Sequence, residues 1–222
     1  MSIDSPLSVL LVDDDSLIRA GLRAILSSDQ EISIIGEAEN GVRAIELALR
    51  LEPTVILMDI RMPQQDGLSA MESILLQAPE AKVLILTTFG EEEYIDRAMS
   101  GGASGFMLKS SGPEELLGAI HAVAEGAAAL SPSIARRVID KVRGIDTASL
   151  TRAQSLVQGL TVREREVLAL VGASLTNAEI AVRLMLTEAT VKGHMTAILL
   201  KLGARNRVDA ALIAYRAGLV HP

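Results

Sequence analysis

With 222 residues, 49 % of them hydrophobic and none a cysteine, the chain has material for one large core or two modest ones, and it excludes disulfides, thiolate metal sites and thiol catalysis. No apolar run reaches the ~18 residues of a bilayer-spanning helix, and Asp4 stands where a signal peptide carries positive charge, so a cytoplasmic protein without membrane attachment is expected. The net charge of −7 is unevenly spread: 21 acidic and 8 basic side chains lie in residues 1–128, against 7 and 13 in residues 129–222, a split that suits one half handling cations and the other a polyanion, or that arises by chance.

Along the chain, β-branched apolar runs at 9–12, 33–36, 55–58, 83–86 and 105–108 alternate with segments of helical period. Continuous apolar strands joined by crossover helices predict an α/β domain, a doubly wound five-stranded parallel sheet over residues 7–128. Pro53, Pro63, Pro79 and Pro113 fall in its connections. Residues 129–158 read as a linker with one helix at 133–142, followed by a polar stretch over 144–158. The remainder, 159–222, reads as a small all-α domain of four short helices. Capping boxes at Thr161 with Glu164 and at Thr176 with Glu179 mark two of its helix starts.

Asp13, Asp14 and Asp15 follow the first strand, Asp59 the third, Thr87 the fourth and Lys109 the fifth. Open parallel sheets bind ligands outside the carboxyl ends of their strands, so these groups should converge there. Clustered carboxylates ionise cheaply only around a hard cation, and Mg²⁺ is the natural occupant. Asp59 then serves as nucleophile toward a phosphoryl group, with Thr87 and Lys109 stabilising its oxygens. Singly, each residue has a plainer role: Asp15 as the cap of a helix starting at Ser16, Asp59 as a turn acid, Thr87 as a strand-end hydroxyl, Lys109 as a solvated charge. Their combination at four strand ends favours the site.

Val12-Asp13-Asp14, Met58-Asp59-Ile60-Arg61-Met62-Pro63 with Asp66-Gly67, Leu86-Thr87-Thr88-Phe89 and the run from Gly102 to Lys109 resemble a receiver domain across the whole first half. The resemblance implies a flavodoxin-like strand order 2-1-3-4-5 and Mg²⁺ ligated by Asp14, Asp59 and the Arg61 carbonyl, with Asp13 acting through a water. It also implies phosphorylation of Asp59 by a sensor histidine kinase, and a switch in which Thr87 turns toward the phosphate and the Phe106 ring moves inward. Plain core packing suits Phe106 equally. Ser110 departs from the acid or proline usual after the lysine. Haloacid-dehalogenase-like phosphohydrolases also use an aspartyl nucleophile, but their second aspartate, two residues on, is Arg61 here.

Residues 176–202 have helix-turn-helix spacing, with a break near Leu186 and Thr187. In the second helix Val191, Met195, Ile198, Leu199 and Leu202 share one face, and Lys192, Gly193, Thr196 and Ala197 fall away from it. That small basic face suits the major groove of double-stranded DNA, with Arg183, Lys201, Arg205 and Arg207 toward phosphates. A helical bundle with solvated cations has the same spacing. With Tyr215 the only aromatic residue here, recognition of single strands by stacking is disfavoured.

The run from Leu160 to Leu168, Asn177-Ala178-Glu179-Ile180-Ala181, Thr190-Val191-Lys192-Gly193-His194 and Lys201-Leu202-Gly203 resemble the LuxR-type DNA-binding module of NarL/FixJ-type regulators. The resemblance implies that Lys192, Gly193 and Thr196 face the groove, that His194 is structural and that the helix over 207–217 pairs two modules. Val208, Asp209, Leu212 and Ile213 are its candidate dimer surface, although a helix packed on its own domain shows the same pattern. Gly193, Ala197 and Leu200 depart from the usual side chains. Together the halves predict a two-component transcriptional response regulator, dimerising on phosphorylation or DNA binding and no enzyme beyond weak self-dephosphorylation. In that reading the acidic half restrains the basic half until Asp59 carries phosphate. A phosphorylation-independent regulator is the alternative.

Overall fold

The computed structural model describes residues 6–88, 91–143 and 147–220, and the chain divides into two compact units: residues 1–124 with 129–131, and residues 125–128 with 132–222. The first unit runs β1 (Leu7–Val12), α1 (Ser16–Leu26), β2 (Ile32–Ala38), α2 (Gly41–Leu51), β3 (Val55–Met58), α3 (Gly67–Gln77), β4 (Val83–Thr87), α4 (Glu92–Gly101), β5 (Gly105–Leu108), α5 (Pro113–Ala124) and β6 (Ala129–Leu130). All pairings are parallel, in the order β2-β1-β3-β4-β5-β6. Among the described residues the expected five strands are therefore six. The addition is β6, whose Ala129 and Leu130 pair with Gly105 and Phe106; two residues are too few to carry a periodic signal.

Local chemistry sets the helix starts that aim the strand ends. Asp15, Asn40 and Asp66 accept backbone N–H groups at the first turns of α1, α2 and α3. Strand residues then sort by alternation. Val9, Leu11, Leu57, Leu84, Leu86 and Met107 pack with Leu22 and Leu26 of α1 and Leu116, Ile120 and Val123 of α5. Leu10, Ile56, Met58, Ile85 and Phe106, all fully buried, occupy the opposite face. Burial of each such side chain is worth about 1.5–3 kcal/mol relative to exposure.

The second unit contains α6 (Pro132–Arg143), α7 (Thr147–Gln158), α8 (Val162–Gly172), α9 (Asn177–Leu184), α10 (Glu188–Leu202) and α11 (Arg207–Arg216). Its core gathers Val157, Leu160, Val167, Leu168, Val171, Ile180, Val191, Met195, Ile198 and Leu202. Both expected capping boxes are formed, at the starts of α8 and α9. The stretch expected to be polar linker contains a second helix, α7. Its composition is mostly polar, yet it delivers Val157 to the core and buries Ala153, and this tertiary packing supplies what its weak periodicity does not.

Candidate functional site

Backbone pairing continues past the strand ends and fixes where the pocket side chains start. The Asp13 N–H donates to Ala38 O at 3.1 Å, Asp59 N–H to Val12 O at 2.9 Å and Lys109 N–H to Thr87 O at 2.7 Å. Asp13 and Asp59 are buried, Asp14 is exposed, and carboxylate oxygens of the three lie within 4.8 Å of one another. Lys109 Nζ sits 2.6 Å from Asp13 Oδ2 and 3.2 Å from Asp59 Oδ2, and Thr87 is buried at the end of β4. Asp15 turns to capping, its Oδ1 accepting the Leu17 N–H at 2.8 Å, the plainer of its two roles. Phe106 is fully buried in β5, between Ile85 and Leu130, rather than at the rim.

Burial pushes the Asp59 carboxyl above its ordinary value, with the Lys109 ammonium opposing and Asp13 adding to the shift. Burial also works against charge on Lys109, but hydrogen bonding to Asp13 and the field of Asp59 outweigh it and hold the ammonium above its usual range. Lys109 thus pairs with two of the three clustered carboxylates, Asp13 and Asp59. Asp13 Oδ2, deeply buried, has the Lys109 ammonium 2.6 Å away as its ion-pair partner. Hard oxygen donors with excess negative charge fit a small divalent cation such as Mg²⁺ better than a softer metal.

Three supports of the pocket went unread as such in the sequence. A Cβ on Gly67 would fall 1.8 Å from the carbonyl oxygen of Asp59, so only glycine lets α3 start this close to the end of β3. The signal was present as Asp66-Gly67, a helix cap followed by a residue without a side chain. Arg61, two residues after Asp59, pairs with Glu91 and lies 5.6 Å from the centre of the Tyr94 ring, joining the β3–α3 loop to α4. Arg97 of α4 reaches Glu72 at 3.1 Å and Ser69 at 2.7 Å, joining α4 to α3.

In the second unit, α9, a left-handed Met185 and α10 form the helix-turn-helix, with Thr187 capping α10. Lys192, Gly193, Thr196 and Arg183 are exposed, as is Arg205; His194 is half-buried. Two expected phosphate contacts, Lys201 and Arg207, are engaged within the domain, Lys201 while still exposed. Lys201 Nζ holds both carboxylate oxygens of the nearly buried Glu164 at 2.7 Å, and the Arg207 guanidinium donates to Asn177 Oδ1 at 2.8 Å and to the Leu175 carbonyl. Burial lowers Arg207 to about 10. Val208, expected at a dimer surface, is 3 % exposed, and Ile213 packs against the core; Asp209 and Leu212 are half-exposed. The backbone N–H of Asp209 bonds to the α11 cap Asn206 at 2.7 Å.

Residues 9–121 match the response regulator receiver domain, and residues 158–214 match the luxR family of bacterial regulatory proteins. The chain is 39 % identical to the uncharacterized transcriptional regulatory protein YxjL of Bacillus subtilis (strain 168), with 96 % of each chain covered. It is 35 % identical to the nitrate/nitrite response regulator protein NarL of Escherichia coli (strain K12), again with 96 % of each covered. Among solved structures, the response regulator ChrA of a heme-sensing two-component system is 34 % identical, with a TM-score of 0.53, covering 97 % of this chain and 100 % of that one.

Proposed function

The chain belongs to the NarL-type two-component response regulators, DNA-binding transcription regulators that join a receiver to a LuxR-type domain, and on that premise we propose that phosphorylation of Asp59 controls its binding to promoters. The observation that carries this reading is the convergence of Asp13, Asp14, Asp59 and Lys109 at the carboxyl edge of the sheet.

An Asp59 carboxylate oxygen attacks the phosphorus of a phosphohistidine on a sensor histidine kinase. The new P–O bond forms as the P–N bond breaks, the imidazole leaves with the bonding pair, and an acyl phosphate remains on Asp59. Mg²⁺, held by Asp14, Asp59 and the Arg61 carbonyl with Asp13 through a water, would supply charge neutralisation to the phosphoryl oxygens. Lys109, already 3.2 Å from Asp59, pairs with one of those oxygens, and the Thr87 hydroxyl donates to another. Thr87 and Phe106 then pass the change to the face around α4 and α5. The protein is a phosphoacceptor whose own dephosphorylation is slow, working in the cytoplasm with its kinase and double-stranded DNA. Lys192, Gly193, Thr196, Arg183 and Arg205 meet the duplex, and Asp209 and Leu212 pair two copies through α11.

Intact-mass spectrometry and DNA binding after acetyl phosphate treatment with Mg²⁺ test the reading. Wild type should gain one phosphate and bind DNA more tightly, and Asp59→Ala should do neither. Equal DNA binding by both proteins, with and without the donor, would instead identify a phosphorylation-independent regulator.

A further inference from the structure

α10 presents Lys192, Gly193 and Thr196 to solvent. This stripe carries a single cation and no asparagine, glutamine or arginine, so the paired hydrogen bonds by which those side chains read adenine or guanine are unavailable to it. The Thr196 hydroxyl is already engaged: Oγ1 donates to the Lys192 carbonyl at 3.1 Å. That back-bond fixes the rotamer and leaves a methyl group and acceptor lone pairs to meet a ligand.

Among the described residues nothing packs against the Gly193 side of α10. The φ of Gly193 is not in the left-handed region, and a Cβ placed on it would meet nothing within 4 Å. Glycine inside a helix is destabilising relative to alanine, so this residue costs stability without touching a neighbour. The room it leaves opens on the same side as Thr196, where an outside surface can come close to the helix backbone.

We infer that this regulator distinguishes bases chiefly through the 5-methyl group of thymine, which packs against the Thr196 methyl in the space beside Gly193, while Lys192 takes a guanine edge or a phosphate. The inference rests on the proposed placement of α10 in the major groove. Its consequence is a recognition sequence with few fixed positions, at least one of them a thymine read by its methyl.

The test uses the full-length chain treated with acetyl phosphate and Mg²⁺. It selects a tight duplex from a random pool, and each thymine is then replaced in turn by deoxyuridine, which lacks only the methyl. At least one replacement should weaken binding about fourfold, the worth of one buried methyl group. Thr196→Ser, which keeps the hydroxyl and its bond to Lys192, should bind the thymine and uracil duplexes equally. Uniform affinity across all uracil duplexes, or a methyl preference retained by Thr196→Ser, overturns the inference. Lys192→Ala separates the two levels. Weaker binding to every duplex keeps α10 in the groove, and unchanged binding removes both that placement and the thymine reading.

Discussion

Replacing Gly67 by alanine forces a methyl group into the peptide of Asp59, the proposed phosphoacceptor. The new carbon would lie 1.8 Å from Asp59 O and 2.9 Å from both Asp59 C and Met58 Cγ. A carbon normally stays about 3.3 Å from a carbonyl oxygen, so the first turn of α3 and the end of β3 must part by roughly 1.5 Å. Overpacking of this kind costs about 1–3 kcal/mol. The Gly67 N–H bond to Ile60 O, 2.9 Å long, loses about 0.5–1.5 kcal/mol as the segments part. The better helix propensity of alanine returns at most about 1 kcal/mol. The net is about 2 kcal/mol, which for a unit of this size lowers Tm by roughly 6–10 °C. Because Asp59 moves relative to Lys109, labelling by acetyl phosphate should also slow, by about 10- to 100-fold. Calorimetry of the full chain and a time course of intact mass read the two effects. A variant that melts within about 2 °C of wild type and labels at the wild-type rate would refute the argument that crowding at this peptide fixes Asp59.

The same reasoning extends to other positions. Lys109→Ala leaves the buried Asp13 and Asp59 charges uncompensated and should cost about 3 kcal/mol in chelator, with Mg²⁺ recovering part of the loss in urea titrations. Gly193→Ala, in open space, should raise stability by up to about 1 kcal/mol. Arg183→Ala should lower the slope of log affinity against log salt by about 1, whereas Lys201→Ala, which breaks a pair inside the domain, should lower Tm and leave that slope nearly unchanged. Hydrogen bonding to Lys201 first, and then to the Thr161 backbone, holds the Glu164 carboxyl below its ordinary value. Its folded value lies below its unfolded one, so this contribution is present at neutral pH and is lost as pH falls through the folded value. Glu164→Gln should therefore flatten the acid side of the stability profile, measured by urea unfolding from about pH 3 to pH 6.

What the residues disclosed, and what they withheld, follows from the range of each interaction. Caps are local, so Thr161 with Glu164 and Thr176 with Glu179 could be read directly and are formed as read. Strand ends are nearly as local, and once the runs around Val9, Val55, Val83 and Gly105 are parallel, Asp13, Asp59, Thr87 and Lys109 have to share an edge. Side-chain direction is another matter. Arg207 and Lys201 look as basic as Arg183, and only the arrival of Asn177 and Glu164 from other helices, and of the Leu175 carbonyl between α8 and α9, engages them within the domain. Val208 looks as amphipathic as Leu212 until the fold buries one and leaves the other half-exposed. α7 stayed hidden because its helicity depends on the core that Val157 joins, and β6 because two residues have no pattern.

β6 also decides how the chain leaves the sheet. Leu130 pairs with Phe106 in the strand that ends beside Lys109, and the Ser131 N–H bonds to Phe106 O at 3.2 Å. The exit is thus stitched to the strand that carries the pocket's ammonium, so the residues that follow α5 return to the sheet and extend it by one strand at the edge beside Gly105 and Phe106.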